Sequence, residues 1–182
     1  MALEFTTSFL ADSLSLFRYE KKMAERAIAQ TPDEHLTSVL DPESNSIAVI
    51  VKHMAGNMRS RWMDFLTSDG EKADRHRDTE FEEPPATRAA LMEMWERGWS
   101  YVFGALEPLT DADLNRTVYI RGEAHSVMQA IARQLTHYSL HIGQIVMLAK
   151  HFAGAGWQTL SIARGKSAQY NTRVAAGEAS QR

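Results

Sequence analysis

His137 and His141 stand four residues apart, and His53 lies on a separate stretch of the chain. In a helix, two imidazoles four apart sit one above the other, roughly 6 Å along the axis, so both can turn toward one ion. Such a pair is the start of a metal site that needs a third ligand, and His53 borders an apolar stripe of its own in the same way. Three neutral imidazoles suit zinc, nickel, iron or manganese, and three protein ligands leave a coordination position for water or substrate. On that reading no side chain is assigned as a catalytic group, and the reactive species is water or substrate at the open position. Asn57, one turn from His53, and Gln134 and Gln144, each about a turn from a histidine, either orient imidazoles and bound water or are boundary polar residues between core and solvent. Arg133, four before His137, either meets an anionic ligand or makes an ion pair. The competing reading of the histidines is structural, as rings that cap or pack against loops.

Other chemistries are excluded by what these positions lack. The zinc peptidase signature requires Glu directly after the first histidine, and Tyr138 stands there. A ferritin-like di-metal bundle needs carboxylates on all four helices, whereas no acidic residue lies between Ser126 and Phe152. Gly154-Ala155-Gly156 follows a helix rather than a strand, so it is not a nucleotide-binding loop. The chain has no Cys, which removes disulfides and thiolate ligands. A metal-dependent hydrolase ranks low for want of an obvious inward carboxylate to act as base.

The histidines must be positioned by helices. Val127, Ile131, Leu135, Tyr138, Ile142, Ile145, Ala149 and Phe152 form one stripe at helical spacing, so a long helix is expected from Ser126 to Phe152. Ser126 with Gln129 makes its capping box. Earlier helices are expected from Thr7 to Gln30, from Ile47 to about Leu66 with Ser46 as N-cap, and from Thr87 to Leu106. Gly56 in the second is placed to admit a neighbouring helix at close range. Thr67 to Pro85 has no periodicity and dense charge, and its simplest reading is a solvated crossover. Leu114 to Gly122 favours an extended segment, yet a single strand has no visible partner, so it is expected to lie along the bundle. Trp157 to Ile162 can fold back as a short apolar cover. Trp62, Trp95 and Trp99 suit either the core or a subunit interface.

A chain of 182 residues with 44% hydrophobic content can bury one core. A single all-α domain, a four-helix bundle over residues 1–170, is expected, with a flexible tail over 171–182. The net charge of −3, from 20 basic and 23 acidic residues, gives no reason to propose nucleic acid as a partner. No signal peptide or membrane-spanning stretch is visible, so a cytoplasmic protein is the default expectation.

Several blocks carry a family resemblance: His53-Met54-Ala55-Gly56-Asn57 with Arg59-Ser60-Arg61-Trp62, then Arg121-Gly122-Glu123-Ala124-His125-Ser126, Arg133-Gln134, His137 and His141-Ile142-Gly143-Gln144, and Trp157 through Ser167. With these the chain resembles the DinB/YfiT-like superfamily of metalloenzymes, and most closely an uncharacterised bacterial branch of it. The resemblance implies a bundle of up-down-down-up connectivity, often a homodimer, with one divalent metal held by His53, His137 and His141. It also implies a class of activity, since characterised relatives include S-transferases that use low-molecular-weight thiols such as bacillithiol or mycothiol, and a thiol-dependent maleylpyruvate isomerase. A metal-dependent thiol S-transferase is therefore the leading expectation, and a metal-stabilised, stress-associated binding protein without catalysis is the alternative.

Overall fold

Each long helix starts where a side chain can satisfy its first free N–H groups. In the computed structural model, which describes residues 8–179, α1 spans Phe9–Ile28, α2 Ile47–Trp62, α3 Arg88–Leu106 and α4 Val127–Ala153. Ser8, Ser46, Thr87 and Ser126 cap them in turn, each accepting from the backbone N–H three residues on. At α4 the box is complete, because Gln129 accepts from the Ser126 N–H at 2.8 Å. α2 stops short of Leu66 because Met63 is extended and Asp64 takes a φ of +49°, which no helix continues through.

Side-chain pairs fix the directions. Glu20 of α1 meets Ser139 of α4, and beyond the C-terminal ends of the two helices Gln30 meets Gln158, so α1 and α4 run parallel. Asn57 meets Gln134 while His53, one turn earlier, meets His137, so α2 opposes α4. Phe17 packs on Trp99 while Glu25 bonds Trp95, so α3 opposes α1. The result is an all-α bundle of up-down-down-up connectivity with long crossovers.

Trp62, Trp95 and Trp99 are core residues, none more than 2% exposed. Trp99 lies within 6.1 Å, centroid to centroid, of Phe17, Trp95, Phe103 and Tyr138, in geometries from edge-on to stacked. Burying each such ring contributes on the order of 3 kcal/mol from area alone. Gly98 lets α3 lie against α2, since a Cβ there would meet Met58 Sδ at 3.0 Å and Ala55 Cα at 3.1 Å.

The segment expected to lie along the bundle alone is instead half of a hairpin. β1, Thr117–Ile120, pairs antiparallel with β2, Glu123–Ser126, through the two-residue turn Arg121-Gly122. Both turn residues have positive φ, +56° and +76°, the backbone of a type I′ turn. Val118 and Ile120 point into the core and Tyr119 out. Asp69 fastens the hairpin to the 67–85 connection by accepting from the N–H groups of both turn residues at 2.8 Å. A further helix, α5, Ser167–Ala175, occupies a stretch where none was expected and extends into the segment read as tail. No helix among the described residues is long and apolar enough to cross a membrane.

Candidate metal centre

α2 and α4 face each other with opposite directions, which sets His53 opposite the His137 and His141 pair. Nε2 of His137 is 3.4 Å from Nε2 of His53 and 3.1 Å from Nε2 of His141. One ligand atom from each ring can be chosen so that all three lie within 4.8 Å of one another. Tetrahedral zinc–imidazole bonds of about 2.0–2.1 Å would separate ligand nitrogens by about 3.3 Å, close to the 3.4 and 3.1 Å between His137 and its two neighbours. His53 is buried, and His137 and His141 are half-buried, so the cluster opens outward from α4.

The outer nitrogens decide what the inner ones can do. His53 Nδ1 lies 2.8 Å from Glu80 Oε2, and an ionised carboxylate there requires the ring proton on Nδ1. His141 Nδ1 lies 2.8 Å from Gln144 Oε1, an acceptor, with the same consequence. Both rings then present Nε2 as a bare lone pair toward His137. Burial pushes His137 down to about 3, with His141 and His53 adding to the effect, and burial also lowers His141. Lone pairs converge where protonation of His137 and His141 is disfavoured, an arrangement that can be shared by a cation. The donor set therefore fits a divalent ion. His137 Nδ1 is buried with no hydrogen-bond partner.

Glu80 was not legible as part of this site. It lies in a 3-10 turn, Asp78–Phe81, of the connection expected to be a solvated crossover, yet it is only 6% exposed. Arg75 grips both its oxygens, Nε to Oε1 at 2.8 Å and Nη2 to Oε2 at 2.9 Å. Burial alone would raise the Glu80 carboxyl, but the His53 and Arg75 bonds outweigh it and hold it below the usual range. Glu71 binds Arg75 from behind and also pairs with Arg61 at 2.8 Å. Phe81 stacks on the His53 ring at 4.9 Å. Gly56 makes room for this loop, not for a neighbouring helix, because a Cβ there would overlap the Glu80 carboxylate, with Cδ at 2.8 Å. The available signals were Phe81, an apolar residue inside a charged run, and Gly56 three residues after His53.

The four flanking polar residues are placed differently from one another. Gln144 contacts an imidazole. Asn57 and Gln134 bond each other at 2.8 Å and share the Tyr138 hydroxyl, each at 3.3 Å. Trp62 Nε1 donates to that hydroxyl at 3.0 Å, so these amides satisfy a buried network behind the histidines rather than the rings themselves. Arg133 is exposed, and its one hydrogen bond among the described residues reaches Gln134 at 3.4 Å.

The fold and its histidine cluster are those of the DinB/YfiT-like superfamily. Residues 4–166 match the model of a family described as Protein of unknown function (DUF1572). No curated protein and no solved structure matches the chain.

Proposed function

The chain belongs to the DUF1572 family, and we propose that it is a divalent-metal-dependent enzyme that uses a low-molecular-weight thiol, an S-transferase of the thiol-dependent kind. The observation that carries the metal reading is the convergence of three Nε2 atoms whose rings have their other nitrogens held by Glu80, held by Gln144, or buried. His53, His137 and His141 would hold the ion. A divalent ion there supplies Lewis acidity, lowering the pKa of a thiol at its open position.

The chain's own residues do the remaining work. Glu80, kept ionised by Arg75, fixes the His53 tautomer and aims its Nε2. Gln144 does the same for His141. Arg133, exposed beside the half-buried rings, offers its positive charge to an anionic thiol arriving from solvent. Hydrolysis is disfavoured because the one buried carboxylate at the site has both oxygens committed, Oε1 to Arg75 and Oε2 to Arg75 and His53. Among the described residues that leaves no free carboxylate at the site to take a proton from water.

The test is thermal unfolding with and without a small anionic thiol, on zinc-loaded and metal-free protein. The thiol is expected to raise the midpoint of the loaded form only, with the effect lost in His137→Ala and weakened in Arg133→Ala. Equal protection of loaded and metal-free protein would sink the thiol reading.

A further inference from the structure

A second site lies on the other side of α4. Successive helical residues turn by about 100°, so Ser139, Gly143 and Val146 face away from the direction of His137 and His141. They line a groove of ≈ 620 Å³ between α1, α4 and the segment 157–164. Met23, Ile142, Val146, Trp157 and Leu160 make its walls largely apolar. The covering segment is tied down, since Arg26 Nη1 donates to the Leu160 carbonyl at 3.2 Å and Gln30 Nε2 to the Gln158 carbonyl at 3.1 Å. Gln158 N returns a bond of 2.6 Å to Gln30 Oε1.

Glu20 stands in this groove with one oxygen unsatisfied. The residue is 9% exposed; Oε1 accepts from Ser139 Oγ, while Oε2 is buried with no hydrogen-bond partner. A buried carboxylate oxygen without a donor is costly and rare. Burial pushes this carboxyl up to about 7, opposed by the Ser139 bond, and no cation among the described residues offsets its charge. Toward the C-terminal end of α4 the groove is lined by Lys150, about 16 Å of helix axis from Ser139. Neither Lys150 nor Arg164, the groove's second cation, makes an ion pair among the described residues.

We propose that this groove binds an elongated small zwitterion, with a primary amine donating to Glu20, an apolar body along Met23, Ile142, Val146 and Leu160, and an acidic group met by Lys150. An ammonium group has the donors that Glu20 Oε2 lacks and the charge that would restore its ionised form. The body displaces water from apolar walls, and Lys150 gains a counter-charge that it does not have among the described residues. The site does not depend on the metal centre.

Calorimetric titration of the full chain with ω-aminooctanoate, octylamine and octanoate tests this. The bifunctional probe is expected to bind tightest. Glu20→Gln, which keeps the Ser139 bond, should weaken the two amine-bearing probes about tenfold and leave octanoate unchanged. Lys150→Met should weaken the two acid-bearing probes and leave octylamine unchanged. His137→Ala should alter none of these affinities, and circular dichroism checks that each variant is folded. Absence of binding by all three probes, or affinities that ignore either Glu20→Gln or Lys150→Met, would overturn the proposal.

Discussion

His53 reaches toward its neighbours with one nitrogen because Glu80 holds the other at 2.8 Å. Removing the carboxylate's charge therefore acts on metal binding through a residue that need not touch the ion. In Glu80→Gln the His53 tautomer is no longer enforced, and zinc affinity, read by competition with a chromophoric chelator, is expected to fall about tenfold to a hundredfold. The same change leaves Arg75, whose side chain is 4% exposed, facing a neutral amide, so unfolding free energy should drop by about 3 kcal/mol. Unchanged affinity with lowered stability would make Glu80 a structural residue only. Glu20 gives a different signature. Its carboxyl is raised from 4.5 to about 7 in the fold, so between those values the folded chain binds a proton that the unfolded chain releases. Its contribution to stability is full below the unfolded value and is lost as pH rises through about 7. Glu20→Gln removes that loss. The variant's gain in unfolding midpoint over the parent should be small near about pH 5 and grow toward about pH 8, and a gain independent of pH would contradict the assignment.

At the scale of elements, the helices were legible and the pieces between them were not. Apolar stripes identified α1 to α4, and Ser46 and Ser126 marked the starts of two of them, since both signals are local. His53, His137 and His141 could be brought together for the same reason, each bordering such a stripe. The hairpin escaped because β2, Glu-Ala-His-Ser, has neither β-branched residues nor alternation, and because Ser126 ends the strand while also capping α4. Its one clear mark was the two-residue turn Arg121-Gly122. Glu80 escaped because a charged loop says nothing of which of its charges will be buried, a matter settled here by Arg75 and His53 together. Gly56 tests that settlement. By helix propensity alone Gly56→Ala should stabilise α2 by about 1 kcal/mol. The added methyl instead displaces the Glu80 carboxylate, and the expected result is a net loss of about 1–3 kcal/mol in denaturant unfolding. Metal affinity should weaken alongside it. A more stable variant with intact metal binding would show that the loop is free to move aside.

For the molecule as a whole, the histidine cluster lies where α2 faces α4. Behind the histidines the two helices are joined by the Asn57, Gln134, Tyr138 and Trp62 network. In front of them the three rings meet through their Nε2 atoms, at 3.4 Å from His53 to His137 and 3.1 Å from His141 to His137. An ion held there crosslinks the helices only while the bundle is folded, so it must stabilise the fold by mass action. At free zinc a hundredfold above its dissociation constant the gain is about 2.7 kcal/mol. For a chain of this length that corresponds to a rise in midpoint of roughly 6–10 °C. His137→Ala should abolish the rise, because its Nε2 lies 3.4 Å from that of His53 and 3.1 Å from that of His141. Glu20→Gln, in the groove on the other side of α4, should retain it in full. Calorimetric scans of the three proteins with zinc and with chelator make the comparison. A rise that survives His137→Ala would place the ion elsewhere, and no rise in the parent protein would leave the histidine cluster without the cation its geometry requires.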